Sequence, residues 1–338
     1  MKIGILTHPL VSNYGGVLQA YALSTYLRNQ GHDVIFLNRQ PNMKFLFRIL
    51  KSFLMFLQHP RYNNPKYRNI SRFIKNSINY SRPLWSTKDL HSFIKNNNLS
   101  TIIVGSDQVW RADFAMSYGY NYFLDFVPDN IKKISYAASF GLSDWRYTNE
   151  QTKKLRKLIQ RFEAISVREE EGVSLCKTHM SVNVDHVLDP TLLLTVDDYT
   201  NIMSERIVSE EYIFVYWLGT EKDKLNAISE IKNKSNITIV DLSLRRENDL
   251  IPIEDWLSYI KYAETVITDS FHGCVFSILF HKKLCLCKNE SGGNGRLESL
   301  LKMLSIDISK YQQDYDKIEA VLQVERNKSY KFIEEAIQ

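Results

Sequence analysis

What the sequence lacks narrows the field first. No apolar run approaches the ~20 residues that a membrane-crossing helix requires, so no membrane-spanning segment is expected. Only four cysteines occur in 338 residues, Cys176, Cys274, Cys285 and Cys287, too few for a disulfide framework in a chain of this size. Three of them lie in apolar, core-like runs, which fits a reducing, cytoplasmic compartment. Met1 leads directly into the apolar stretch KIGILTH, so no secretory signal is expected. There is no HExxH, no CxxC pair, no P-loop and no GxSxG. Cys176 and His179 form an isolated C-x-x-H without a second half, so neither a metal nor a cofactor is expected. Acidic residues are missing altogether from residues 43–88, which hold ten Lys or Arg.

That last gap locates the charge. The chain carries 43 basic and 38 acidic residues, a net of +5, and without residues 43–88 the balance is 33 against 38, or −5. The stretch begins as an apolar helix over 45–57 bearing Arg48 and Lys51. It continues with Arg and Lys interleaved among Tyr62, Tyr67, Phe73, Tyr80 and Trp85. Such a mixture suits an anionic membrane surface or a lipid-linked ligand. A helical insert that packs its apolar face on the domain and solvates its charges fits equally well. Nucleic acid, bound by stacking and phosphate contacts, is the weakest of the three.

At this length two domains are the default. Lys2 to Thr7, a loop, a helix from about Val17 to Gln30 closed by Gly31, and Asp33 to Leu37 make a β–loop–α–β opening. Further strands are predicted at 101–104, 133–137, 164–167 and 183–188, and helix over 152–162. Asp189-Pro190-Thr191 then breaks the pattern, so the first domain is placed at residues 1–188 and the second at 189–338. The second alternates strands near 212–218, 237–242, 265–268 and 283–287 with helices near 222–233, 254–263, 273–281 and 295–304. A last helix over 315–337 is expected to pack back on the first domain. The fold class is therefore α/β, with two Rossmann-like domains facing a cleft.

Candidate residues gather at strand ends, where parallel sheets open onto ligands. Val266-Ile267-Thr268 runs into Asp269-Ser270-Phe271-His272-Gly273 and then an apolar helix, whose N-terminus favours anions. His272 there is a candidate proton-transfer group, and Asp269 or Ser270 a candidate cap. Gly292-Gly293-Asn294-Gly295-Arg296 enters the next helix and offers backbone N–H groups and a guanidinium fork to an anion. In the first domain Asn13, Tyr14, Gly15 and Gly16 precede the first helix, Ser106 and Asp107 follow the third strand, and Ser139 the fourth. Arg168 follows the fifth strand and is followed by Glu169, Glu170 and Glu171, with which it could simply pair. Two arginines and a histidine in one site would suit a small substrate bearing phosphate or carboxylate.

Taken in order, NYGGVLQAYAL, VGSDQVW, SYAASFG, SVREEEG, LDPTLLL and TDSFHG resemble the polysaccharide pyruvyl transferase family over most of the chain. The resemblance implies a GT-B-like fold. It also implies transfer of a pyruvyl group from phosphoenolpyruvate to two hydroxyls of a sugar, as a cyclic ketal. Members of the family serve bacterial capsule, cell-wall or exopolysaccharide assembly, often on glycans carried by a lipid diphosphate; the basic stretch would then dock the enzyme at the cytoplasmic face of the inner membrane, where such an acceptor would wait. By the same resemblance Arg168 would bind the donor and His272 would stand at the donor site; from their places at strand ends and helix starts, Ser270, Asn294, Asn13, Tyr14, Gly15, Gly16, Asp107 and Ser139 are the candidate substrate contacts. Family members often carry Arg-Leu-His where this chain has Ser270-Phe271-His272, and Arg296 is the candidate substitute for the missing arginine. A nucleotide-sugar glycosyltransferase of the same fold class, or a non-catalytic scaffold, are the alternatives.

Overall fold

The computed structural model describes residues 1–10, 13–41, 65–219, 228, 237–242, 250–287, 294–307 and 313–338. The chain divides into two compact units: Met1–Pro60, Ile74–Leu193 and Val324–Gln338 form the first, Arg61–Phe73 and Leu194–Gln323 the second. Each is built on a parallel sheet.

The first unit holds β1 (Lys2–Leu6), β2 (Asp33–Phe36), β3 (Thr101–Val104), β4 (Lys132–Ala138), β5 (Ala164–Val167) and β6 (Asp185–His186). They lie in the order β2-β1-β3-β4-β5-β6, all parallel. Thr101-Ile102-Ile103-Val104 is buried along its whole length, as a strand covered on both faces must be, and its β-branched side chains suit that surface. From β1 the chain goes to one side for β2 and returns to the other for β3. The strand order therefore reverses between β1 and β3, the place where doubly wound sheets bind ligands.

In the second unit β7 (Tyr212–Tyr216), β8 (Thr238–Asp241), β9 (Thr265–Thr268) and β10 (Lys283–Leu286) lie in the order β10-β9-β7-β8, again parallel. The same reversal falls between β7 and β9. Cys285 and Cys287 pack against the cluster of Ile213, Val215 and Ile267, and all four cysteines are free thiols.

Local chemistry sets the helix ends. Asn13 caps the helix Tyr14–Asn29 by accepting from the Gly16 N–H at 3.3 Å, and Gly31, at φ 81°, ends it in the left-handed region. Thr148 and Gln151 form a reciprocal capping box at the start of Asn149–Ile159. The helix Tyr315–Ile337 lies in the second unit up to Gln323 and in the first from Val324. In the first unit Arg326 donates to the Leu192 carbonyl at 2.8 Å, Ser329 accepts from the Leu188 N–H at 3.1 Å, and Tyr330 stacks on Tyr26.

Two expectations need correction. The strand predicted over 183–188 shrinks to Asp185–His186, because at the sheet edge it pairs with β5 alone. The first helix starts at Tyr14, three residues early, because Asn13 caps it there and takes Gly15 and Gly16 into its first turn. Where it is described, the basic stretch follows the reading of a helix that packs its apolar face on the protein. Residues 65–77 form a helix (Pro65–Ser77) that buries Ile70, Phe73 and Ile74 at i, i+3, i+4 spacing. Trp85 is buried, and Tyr80 and Leu84 bridge to Phe36 and Arg39 beside β2. Two of the aromatic rings expected at a lipid headgroup layer are thus spent on the protein interior. Residues 43–64, including the predicted apolar helix, lie outside the described residues, as do most of the helix expected over 222–233 and Gly292 and Gly293. No helix among the described residues is long and apolar enough to cross a membrane.

Candidate functional site

In the second unit β9 delivers His272. Thr268 locks the strand end: its hydroxyl donates to the Tyr216 carbonyl at 2.6 Å and accepts from the Ser270 N–H at 3.0 Å. Asp269 closes the floor of the reversal point, its carboxylate accepting from the N–H groups of Leu218 at 2.6 Å and Gly219 at 2.5 Å. The loop after β7 is thereby tied to the end of β9. Ser270 caps the helix Phe271–Leu279, its hydroxyl accepting from the Gly273 N–H at 3.3 Å, so its oxygen is engaged in starting the helix.

His272 sits on the first turn of that helix, 7% exposed, its ring edge-on to Phe271 at 5.1 Å. The residue after it has to be glycine, because a Cβ on Gly273 would lie 2.4 Å from the Thr268 hydroxyl. That contact lets the helix start hard against the strand end. The partial positive charge of the helix N-terminus then falls beside the imidazole. Asn294 opens the next helix (Asn294–Met303), and Arg296 on its first turn places its guanidinium carbon 5.9 Å from the Phe271 ring centroid. Arg296 therefore shares a neighbourhood with the histidine-bearing turn, as its proposed substitution for a missing arginine requires.

In the first unit the polar residues converge on Arg168. Its guanidinium bonds Asp189 at 2.7 Å, reaches Asp107 at 3.4 Å and lies 3.9 Å from Glu169. The side chains of Arg168 and Asp189 are wholly buried, whereas that of Asp107 is 14% exposed. Burial alone would lower the pKa of Arg168, but Asp189 first, then Asp107 and Glu169, outweigh it and raise the value.

Each carboxylate in turn ties down a strand-end loop. Asp189 accepts from the Thr191 N–H and hydroxyl, at 3.0 and 2.7 Å. Glu169 accepts from the N–H groups of Phe140 at 2.6 Å and Gly141 at 3.3 Å. Asp107, at φ 76°, stands after β3, facing the first turn of the helix Tyr14–Asn29, where a Cβ on Gly16 would lie 3.4 Å from its Oδ2. Ser139 is fully buried and its hydroxyl accepts from the Gly141 N–H at 3.1 Å, a structural use. Tyr14, Gly15 and Gly16 are buried in the first helical turn behind the exposed Asn13.

Three residues of these sites have roles that the sequence reading does not assign. Gln19, buried, joins the first helix to β3 by donating to the Gly16 carbonyl at 2.8 Å and accepting from the Ser106 N–H at 3.2 Å. Its signal was a lone amide in the apolar run VLQAYAL. Asp189 was read as a chain breaker and Asp269 as a cap; a carboxylate next to a buried strand end was the available sign in both.

The family model for polysaccharide pyruvyl transferase matches residues 13–291. No curated protein is similar enough in sequence to match. Among solved structures, S. aureus MnaA with UDP is similar at a TM-score of 0.53 and 12% identity, over 99% of this chain and 91% of that one. A protein described as a UDP-N-acetylglucosamine 2-epimerase from Listeria monocytogenes is similar at 0.51 and 9% identity, over 96% and 90%. At such identities the likeness concerns the fold, which is of the GT-B type with two Rossmann-like domains. The family match, by contrast, spans most of the sequence, and the chain belongs to the polysaccharide pyruvyl transferase family.

Proposed function

We propose that the protein moves the pyruvyl group of phosphoenolpyruvate onto two hydroxyls of one sugar, forming a cyclic ketal. The observation that carries this is His272 on the first turn of a buried helix at the β7/β9 reversal, with Arg296 beside the same turn. The donor bears a carboxylate and a phosphate, both suited to a guanidinium and a helix N-terminus. Reaction requires a proton on the methylene carbon, attack of hydroxyl oxygens on the central carbon and departure of phosphate. An imidazole titrates near neutrality, so it can deliver that proton, and fixed positive charge offsets the negative charge on the leaving group.

The test is incubation with phosphoenolpyruvate and a panel of sugars, read as released phosphate and as the mass of one added pyruvyl ketal. Thermal protection by phosphoenolpyruvate, set against nucleotide sugars, separates this activity from a glycosyltransferase. Arg296→Ala is expected to raise the donor KM about 10- to 100-fold, the worth of a charge-assisted hydrogen bond, with kcat nearly unchanged. An unaltered KM would remove Arg296 from the donor site.

A lipid-diphosphate-linked acceptor at the cytoplasmic membrane face belongs to the same proposal and is supported by the basic composition of residues 43–64. Changing Lys44, Arg48 and Lys51 to glutamine should weaken binding to anionic vesicles; equal binding by the variant would count against membrane docking.

A further inference from the structure

In a doubly wound sheet a diphosphate is ordinarily seated on backbone N–H groups of the turn that leaves the first strand, at the crevice where strand order reverses. In the second unit that turn follows β7 and carries Trp217-Leu218-Gly219. β9 is the neighbour of β7, with Tyr216 opposite Thr268, so Leu218-Gly219 and Asp269-Ser270 leave the sheet side by side.

The donors of this turn are occupied from within. Oδ1 of Asp269 accepts from the Leu218 N–H at 2.6 Å, and Oδ2 from the Gly219 N–H at 2.5 Å. Two adjacent N–H groups on two oxygens of one anion is how a phosphate would be cradled, and here the anion is the protein's own. Asp269 is 4% exposed, so a phosphate could take its place only by displacing it. Beside it the Thr268 hydroxyl accepts from the Ser270 N–H and the Ser270 hydroxyl from the Gly273 N–H. Four backbone donors at this reversal are thus engaged by side chains of the strand end. Leu218, 46% exposed, adds only an apolar side chain to the mouth of the turn. The cation near the turn, Arg296, arrives on a different element, the helix Asn294–Met303.

A diphosphate brought to this turn meets a carboxylate on the N–H pair it needs. It forfeits two charge-assisted hydrogen bonds and faces a like charge, and repulsion of that kind selects between ligands. A donor held by side-chain cations loses nothing there. We propose that Asp269 is a specificity-determining residue: it fills the diphosphate position of the second unit, excluding nucleoside diphosphates and nucleotide sugars and leaving the site to donors with a single phosphate. The identity of the admitted donor rests on the pyruvyl-transfer reading; the exclusion does not.

Titration calorimetry on the full chain, with uridine and adenosine diphosphates, inorganic pyrophosphate and phosphoenolpyruvate, tests this. The wild type is expected to show no saturation by any of the diphosphates up to about 1 mM. Asp269→Asn removes the charge and can accept from only one of the two N–H groups, and Asp269→Ala frees both. Each is expected to bind the diphosphates at least ~10-fold more tightly than the wild type, the worth of one charge-assisted hydrogen bond, with phosphoenolpyruvate affinity within about threefold. Loss of a merely structural tie would weaken every ligand and create affinity for none, so a gain isolates the role.

A wild type saturated by diphosphates below that concentration overturns the proposal. So do variants that keep the native circular dichroism spectrum and gain no diphosphate affinity. If neither variant folds, the wild-type titrations decide. A wild type that neither binds phosphoenolpyruvate nor releases phosphate from it ends the pyruvyl reading, while the exclusion is still judged on the diphosphates.

Discussion

Arg168→Ala is expected to destabilise the first unit by about 3–5 kcal/mol, because it removes the cation from a buried ion cluster and leaves its partners uncompensated. Asp189 would remain with no exposed area, Glu169 with almost none, and Asp107 would lose one of its anchors. For a domain of this size the loss corresponds to a fall in melting temperature on the order of 10 °C. The same arginine, taken from the family resemblance, is a donor ligand, and that role predicts the opposite pattern: an unchanged melting temperature and a raised donor KM. Thermal unfolding and donor kinetics measured on one preparation distinguish them. Retention of full stability by the alanine variant would mean that the guanidinium is not the hub of this cluster.

The second large effect concerns catalysis. His272→Ala should remove turnover, a loss of at least 10²-fold and up to about 10⁴-fold for a missing general acid–base group. Folding should survive, since the strand end and the helix start are each held by ties that the substitution leaves in place: Thr268 to the Tyr216 carbonyl, Asp269 to Leu218 and Gly219, and Ser270 to Gly273. His272→Asn, which fills more of the space, serves as the packing control and should be as inactive as the alanine variant. Near-normal phosphate release by either, with the native melting temperature, would end the proton-transfer role of His272.

The two variants thus probe opposite kinds of buried polar residue. Arg168 is surrounded by compensating charge that the fold has assembled around it, and its removal is a stability event. His272 is packed on an aromatic ring at a helix N-terminus, and under the proposed mechanism its removal is expected to act on the chemistry. Both were candidates for the same reason, a functional side chain directly after a buried strand, and only their neighbours separate them.

Much of the architecture was legible from residue order. Strands buried along their whole length read as β-branched runs, so β3 in the first unit and β9 in the second fall on their expected residues, and so does β5, of which only Ser166 and Val167 are buried. The last helix likewise spans the expected 315–337. Edges and caps were harder. β6 is two residues long because a strand with one neighbour has little to hold it, and nothing in Asn183 to Leu188 announces which edge it occupies. The aromatic residues of the basic stretch left two readings open for a related reason. Phe73 and Trp85 carry no mark that distinguishes a ring destined for a lipid surface from one destined for the core.

The order of strands, helices and turn residues along this chain was sufficient to determine two parallel sheets and to place His272, Asp107 and Arg168 just beyond strand ends and Arg296 at a helix start, since hydrophobic periodicity and capping are local properties. Which groups meet was decided by the tertiary structure. Arg168 takes its closest partner from 21 residues away and another from 61 residues away, and Asp269 closes on N–H groups 50 and 51 residues earlier. Such pairings are set by strand order within each sheet, where residues distant in sequence are brought side by side and lose their water together; there, charge and hydrogen-bond partners, more than local propensity, determine what each side chain does.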